Sequence, residues 1–226
     1  MRYPNIYQAR FLSRPNRFVA NCELEGEVLT VHVKNTGRCR ELLAPGATVW
    51  LTKSDNPNRK TAFDLVAVQK GERLVNMDAQ APNAVFGEFA RGGGFLPRVR
   101  NVRPEVRYGA SRFDFRLETD EKTHFVEVKG VTLEENGVVR FPDAPTERGV
   151  KHLKELQAAA AAGYGAHAVF VIQMEDVEHF APNDKTHAAF GEALREAARN
   201  GVQIHAFWCR VTPDSLTIAG RTPVEL

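Results

Sequence analysis

The residues most able to do chemistry lie on a hairpin predicted over residues 105–129. Two segments, FDFRL and HFVEVK, alternate large apolar and polar residues, and the polar ETDEKT between them supplies the turn. Pairing about the centre of that turn places Asp114 opposite Glu127 and Arg112 opposite Lys129. Like charges facing each other across a strand pair are destabilising, because their β-carbons lie only ~5 Å apart. Two facing carboxylates therefore predict a cation between them. The opposite, buried face of the hairpin would hold Phe113, Phe115, Leu117, Val126 and Val128.

This arrangement suits phosphodiester hydrolysis, which needs positive charge at the phosphoryl oxygens and an activated water. Asp114 and Glu127 offer the hard oxygen ligands that Mg²⁺, or Mn²⁺ in its place, takes up from one or two protein carboxylates. Lys129, two residues along the same face, could orient the water or stabilise the transition state. Glu105 and Glu88 are candidates for further metal ligands from the preceding strand and helix.

A second interpretation of the hairpin involves no catalysis. E-x-K on a strand is a short pattern that arises by chance, and an exposed cross-strand ion cluster is often solvated surface. The aspartate on the neighbouring strand and the surrounding order of α and β elements favour the catalytic interpretation.

Basic residues surround the predicted site, although the net charge of the chain is only +2. Seven arginines lie between residues 91 and 116, among them Arg112, against Glu105 and Asp114 alone. Such local excess positive charge is typical of a protein that binds the phosphate backbone of DNA. On the following helix, Arg148, Lys151 and His152 lie on the side away from the leucines, where they would reach DNA phosphate, the site itself or only solvent.

Residues 1–80 predict a small all-β domain. Five short segments are separated by Gly-, Asn- and Pro-containing turns with no long helix, which favours a small antiparallel barrel such as the oligonucleotide-binding (OB) fold. Its basic residues could line a groove for a phosphate backbone, with Phe11 or Phe18 stacking on bases; the alternative is a solvated face with core aromatics. The basic candidates are Arg10, Arg14, Arg17, Lys34, Arg38 and Arg40.

Residues 81–226 predict a mixed α/β domain. The pattern is helix, three strands, helix, strand, helix, strand, with Asn83 as the cap of the first helix and Thr146 as the cap of the second. The second helix would turn Val150, Leu153, Leu156 and Ala160 inward and end at Gly163. AHAVFVIQM reads as a strand covered on both faces, and the last helix would run from Asp184 to Gly201.

Composition excludes several classes of protein. Three scattered cysteines without C-x-x-C spacing argue against a disulfide framework and a structural zinc site, and they fit a reducing cytoplasm. No segment has the length and hydropathy of a signal peptide or membrane span, so we expect a cytoplasmic protein without membrane association. The remaining histidines, including His124, His167 and His205, show no metal-ligand spacing.

Four segments in order along the chain also carry a resemblance. NTGRCRELLAPG, EVRYGASRFDF, FVEVKGVTL and FPDAPTERGVKHLKEL resemble the sugar fermentation stimulation protein A (SfsA) family. The resemblance implies an OB-like domain followed by a domain similar to the PD-(D/E)xK nucleases, non-specific DNA binding, and a regulatory role in sugar (maltose) metabolism. On the nuclease pattern, Asp114 matches the motif aspartate, Glu127 and Lys129 match E-x-K, and Glu88 lies where some such nucleases place a further glutamate.

Two functions therefore stand side by side. The first is a DNA-binding protein, for single- or double-stranded DNA, with a Mg²⁺-dependent nuclease-like centre. The second is a non-catalytic DNA-binding regulator of sugar (maltose) metabolism genes, although no helix-turn-helix is predicted. An RNA-processing nuclease is a third option, because an enzyme that cuts the backbone need not read the base. The sequence does not predict the oligomeric state, and a dimer is one option.

Overall fold

The computed structural model describes residues 1–35, 37–109 and 111–226. Thr36 and Ala110, which belong to two of the motifs quoted above, lie outside the described residues.

The N-terminal part of the chain is a closed barrel, as predicted. The strands lie side by side in the order β3-β2-β1-β4-β5-β6, and a parallel pairing of β3 with β5 closes a five-stranded barrel from which β6 extends. The bounds are β1 Ile6–Ser13, β2 Val19–Leu24, β3 Glu27–Val33, β4 Thr48–Lys53, β5 Phe63–Lys70 and β6 Arg73–Asn76. Strand β1 was not predicted. It follows a largely polar N-terminal segment, and only two of its side chains, those of Ala9 and Phe11, are buried.

The second part is a mixed α/β unit built on a six-stranded sheet of order β15-β14-β12-β9-β8-β7. Its central strands β9, β12 and β14 are parallel, whereas β7, β8 and β15 run antiparallel to their neighbours. A smaller sheet, β10-β11-β13, lies beside it. The bounds are α1 Ala81–Arg91, β7 Asn101–Tyr108, β8 Ser111–Glu118, β9 Thr123–Val131, β10 Leu133–Glu135, β11 Val138–Phe141, α2 Glu147–Ala161, β12 Gly165–Ile172, β13 His179–Pro182, α3 Asp184–Arg199, β14 Gln203–Thr212 and β15 Ser215–Thr222.

The N-termini of α1 and α2 differ in whether their caps could be predicted from sequence. Thr146 caps α2 as predicted, because its hydroxyl oxygen accepts the Gly149 backbone N–H at 3.0 Å. The predicted cap of α1 is wrong. That helix begins at Ala81 with Pro82 in its first turn, so Asn83 lies inside it and its side chain is free to act elsewhere.

Two cores hold the sheet. The first lies under α2 and α3 and continues into the barrel, so residues such as Val31 and Leu51 belong to the same buried cluster as Leu156 and Phe190. The second lies between α1 and the other face of the sheet. None of the helices in the described ranges is both long and apolar enough to cross a membrane.

Polar contacts reinforce the junction between the barrel and the α/β unit. Glu134 on β10 is buried and accepts Lys70 Nζ at 2.9 Å, and it also pairs with Arg73 at 2.7 Å, both from the β5–β6 hairpin. Gln173, after β12, donates its Nε2 to Asn76 Oδ1 at 2.8 Å and to the Asp78 carbonyl at 3.0 Å. These bonds, with the shared core, fix the barrel against the sheet.

Candidate active site

The predicted register of the central hairpin is confirmed. Paired residues of β8 and β9 run from Glu118–Thr123 to Phe115–Val126, and one further step in this register is Asp114–Glu127. There the regular ladder ends, because Asp114 Oδ2 accepts the Val128 backbone N–H at 2.8 Å. A side chain has replaced a strand carbonyl as the acceptor, so Asp114 lies where the two strands stop pairing in the regular way.

The side-chain alternation also switches at Asp114, which corrects the predicted buried face. Phe115 packs into the core under α1, whereas Phe113 packs into the core under α2. The neighbouring strand β7 switches with it, at Glu105, whose φ of 57° is left-handed and strained for a residue with a side chain. This twist places Asp114 between the two cores.

Asp114 is held on both carboxylate oxygens. Asn83 Nδ2 donates to Oδ1 at 2.9 Å, and the Val128 N–H binds Oδ2. Burial raises the pKa of Asp114, and the nearby negative charge of Glu127 raises it further. The predicted capping role of Asn83 is thus replaced by a contact with Asp114, 31 residues away in sequence.

Glu127 is only 4% exposed, and its two oxygens differ sharply. Oε1 accepts Lys129 Nζ at 2.5 Å and His152 Nδ1. Oε2 is buried and has no hydrogen-bond partner among the described residues. Burial alone would raise the pKa of Glu127, but the His152 hydrogen bond and the Lys129 charge outweigh it, so the pKa is lowered.

His152 corrects the prediction for α2. The helix pattern predicts that it lies with Arg148 and Lys151 on the side away from the leucines, but its side chain is buried and reaches Glu127. Arg148 Nε lies 3.4 Å from His152 Nε2. Because a guanidinium can only donate, Nε2 is the acceptor of this contact, and the Nδ1–H of His152 donates to Glu127 Oε1. The site was thus one of the destinations that the helix pattern left open.

The wider set of predicted metal ligands is not brought together. The carboxylate of Glu105 lies 2.7 Å from Arg112 Nε, although Glu105 lines the same ~260 Å³ cavity as Asp114. Glu88 lies elsewhere on α1, where its Oε2 is 2.7 Å from the Met1 amino group. Within the described ranges no three His, Cys, Asp or Glu side chains form a group able to hold a metal ion.

The two remaining carboxylates still fit a hard divalent cation. A buried carboxylate oxygen without a partner is costly, because it loses its hydration without gaining a hydrogen bond. Glu127 Oε2 is such an atom, beside a second carboxylate at Asp114. Mg²⁺ keeps several waters and is often bound through only one or two protein carboxylates. Asp114 and Glu127 are therefore the residues that would hold it.

The predicted nucleic-acid contacts in the barrel separate into two groups. Arg14 donates to four backbone carbonyls of its own loops, and Lys34 Nζ lies 2.6 Å from the buried carboxylate of Asp78. Both side chains therefore hold structure together. Arg17 and Arg38, by contrast, line an open groove of about 470 Å³ on the barrel surface.

The basic candidates near the hairpin and on α2 are exposed. Arg112 is about two-thirds exposed and pairs with Glu105, and Lys151 lies 3.8 Å from Glu155 at the solvent face of α2. Exposed pairs of this kind contribute little to stability, so these cations stay available to an anionic partner.

A second buried polar cluster lies on the same sheet and was not anticipated. His124 Nδ1 is 2.9 Å from His167 Nε2, and His167 Nδ1 is 3.1 Å from His205 Nε2. This row of hydrogen-bonded histidines ends on one side at Arg221, 3.4 Å from His205 Nδ1, and on the other at the Thr119 hydroxyl, 3.5 Å from His124 Nε2. Since Arg221 only donates, each histidine in turn must accept at Nδ1 and donate at Nε2. All three are neutral in this arrangement, with every bonded nitrogen satisfied.

Comparison with known proteins agrees with this architecture. Residues 12–77 match the family model described as "SfsA N-terminal OB domain", and residues 80–215 match "Sugar fermentation stimulation protein RE domain". Proteins named "Sugar fermentation stimulation protein homolog" from Desulfitobacterium hafniense (strain Y51) and Clostridium beijerinckii are 55% and 54% identical over 226 residues. All of this chain is covered, with 99% and 100% of those relatives.

A solved structure, of Pyrococcus furiosus SfsA in complex with Ca²⁺, is similar over the whole fold. It superposes with a TM-score of 0.91 at 28% sequence identity, covering 100% of this chain and 98% of that chain.

Proposed function

This chain belongs to the SfsA family, and we propose that it is a DNA-binding protein with a Mg²⁺-dependent phosphodiesterase centre at Asp114, Glu127 and Lys129. The observation that carries the proposal is the buried, unpartnered Glu127 Oε2 next to Asp114. The Ca²⁺ in the related Pyrococcus structure supports a site for a divalent cation in this fold.

The residues around that oxygen have complementary tasks. His152 and Lys129 both bind Glu127 Oε1, which leaves Oε2 as the free oxygen of the carboxylate. Asn83 and the Val128 N–H orient Asp114, each through a different carboxylate oxygen. A divalent cation bound by these carboxylates would supply the positive charge that phosphodiester hydrolysis needs at the phosphoryl oxygens. The Lys129 side chain is about one-fifth exposed, so its ammonium group can reach an attacking water or a phosphoryl oxygen.

Exposed arginines would hold the DNA backbone near this centre. Arg17 and Arg38 on the barrel, Arg112 on β8, and Arg148 with Lys151 on α2 carry the positive charge. Their contacts would be sequence-independent, because they read phosphate and not bases.

The second candidate is a non-catalytic DNA-binding regulator of sugar (maltose) metabolism genes. The sugar fermentation names of the relatives favour it. It uses the same exposed arginines, but it gives no reason for burying Glu127 Oε2 without a partner.

Purified protein assayed with Mg²⁺ or Mn²⁺ on single-stranded and duplex DNA would separate the two. We expect the wild type to cleave, and Asp114→Ala and Lys129→Ala to lose about 100-fold or more, as when other transition-state contacts are removed. Glu118→Ala is the matched control. It also removes a carboxylate from β8, but that carboxylate pairs with Arg116.

An inert wild type that binds DNA with the same salt dependence as its Asp114 and Lys129 variants would leave only the regulator. Equal cleavage by all variants would place the reaction at another site or in a contaminant.

A further inference from the structure

Two cavities on the barrel side of the molecule meet at shared walls. The groove of about 470 Å³ on the barrel surface and a cleft of about 350 Å³ between barrel and α/β unit are both lined by Arg17 and Gly37. Arg17 and Gly37 form the wall between them, and the two adjoining cavities together are here called the Arg17 channel. It runs from the outer face of the barrel into the junction of the two units.

The inner end of the Arg17 channel approaches the candidate active site. The cleft is lined by residues 130–133, which follow Lys129 directly on the chain, and by Thr146 at the start of α2. Lys129 and His152 on these same two elements both bind Glu127. The inner end of the channel is thus one residue along β9 from Lys129, which binds Glu127.

The channel is basic along its length. Arg38 and Arg40 line the outer groove, Arg17 lies at the meeting point, and Arg140 lies in the inner cleft. No acidic residue lies among the described residues that line the outer groove, and the inner cleft has Asp143 alone. Arg14 stabilises the outer wall through four bonds to backbone carbonyls, so the groove is pre-formed.

An exposed aromatic residue directly follows Arg17 in the chain. Phe18, adjacent to Arg17, is 58% exposed, although large apolar side chains are normally buried. Asn16 Oδ1 accepts the backbone N–H of Phe18 at 2.8 Å, which fixes the start of that segment. An exposed aromatic ring in a basic region is the kind of group on which unpaired bases stack.

We propose that the Arg17 channel binds single-stranded DNA and delivers it to the Asp114–Glu127 centre, so that this centre acts on single strands; this substrate class rests on the proposed function. The inner cleft, about 350 Å³, is at the small end of pockets for compact ligands, about 300–1,000 Å³, so it is too small to enclose a duplex. Bases in a duplex are stacked and paired, so they offer Phe18 no free face.

Binding measured in EDTA tests the channel without cleavage or metal. Fluorescence anisotropy would compare an oligothymidylate of about 12 nucleotides with a blunt hairpin duplex of equal charge. We expect the single strand to bind at least about 10-fold more tightly, and Phe18→Ala to weaken it by about 5- to 100-fold, the usual loss of one stacked base. Arg17→Ala should reduce the salt slope of single-strand binding by about 0.7.

Two variants serve as matched controls. Val28→Ala removes another exposed apolar side chain of the barrel, and Arg199→Ala removes an exposed arginine at the far end of α3; both should bind like the wild type. Equal affinity for single strand and duplex, or a Phe18→Ala variant that binds like the wild type, would overturn the channel. Tight single-strand binding by a wild type that never cleaves in Mg²⁺ would instead overturn the proposed catalytic function and leave the channel standing.

Discussion

The central sheet carries two buried polar clusters with opposite properties. In the His124–His167–His205 chain, each bonded ring nitrogen has one hydrogen-bond partner and acts either as donor or as acceptor. Arg221 and Thr119 are the partners at the two ends. At Asp114 and Glu127, one carboxylate oxygen is left buried and unpartnered, and the strand alternation breaks beside it. Satisfied polar networks stabilise a fold, whereas an unsatisfied group needs an explanation outside the fold. The histidines therefore stabilise the fold, and the unpartnered oxygen of Glu127 is the reason for the function proposed at the two carboxylates.

The strongest test of the comparison is His167→Phe, which should destabilise the protein by about 2 to 5 kcal/mol. The change leaves His124 Nδ1 and the His205 Nε2–H without partners, at about 1–3 kcal/mol each. Chemical denaturation measures it. The matched change in the site, Glu127→Gln, should stay within about 1 kcal/mol, because its Oε1 can still accept both His152 and Lys129. Equal losses of stability in both variants would contradict the difference between the two clusters.

A second test asks whether His152 orients Glu127 for a cation. His152→Leu should weaken Mn²⁺ binding by about 10- to 100-fold, the usual effect of losing a group that orients a metal ligand. His152→Asn should bind nearly as well as the wild type, because the asparagine amide nitrogen can replace Nδ1 as the donor to Oε1. Titration calorimetry gives both affinities, and thermal unfolding checks that each variant is folded. If the leucine variant binds Mn²⁺ like the wild type, His152 has no such role.

The last test concerns the pH dependence of stability that the histidine chain imposes. Burial, with the neighbouring histidines, lowers the pKa of His167 to about 3, and burial with Arg221 lowers that of His205 to about 4; burial and Lys122 also lower the pKa of His124. In the unfolded chain each histidine titrates near ~6.5. The unfolded state therefore binds more protons below that pH, so stability is complete above pH ~6.5 and falls as pH drops toward ~4.

Each such histidine contributes a slope of about 1.4 kcal/mol per pH unit within that window. Denaturation curves at several pH values would measure it, and His167→Phe should show a shallower slope than the wild type. A slope that the variant leaves unchanged would mean that carboxylates, not this chain, control the acid response.

Sequence was sufficient where the signal is local. Alternation and the turn predicted the register that places Asp114 next to Glu127, and Thr146 marked the start of α2. The inward face of α2 was predicted about one residue out of phase, since His152 is buried and Val150 only partly so. A histidine at an inward position looks unfavourable until its partner is known, and Glu127 lies 25 residues away.

Partners that are distant in sequence also explain the wrong predictions for the basic residues and for the edge of the sheet. Lys34 looked available to phosphate because its partner, Asp78, is distant in sequence and belongs to the segment after the barrel. The strand β15 was missed because only one of its faces is buried, so its sequence is largely polar. Such features depend on tertiary pairing, which local patterns do not encode.

The core shared by the barrel and the α/β unit has a consequence for recognition. Clefts between domains commonly open and close around a hinge, and part of the binding energy is then used to order them. Here Glu134 with its two cations, Gln173, and one continuous apolar cluster join the walls of the cleft during folding itself. The Arg17 channel is therefore preorganised, and a strand that enters it meets a shape that already exists.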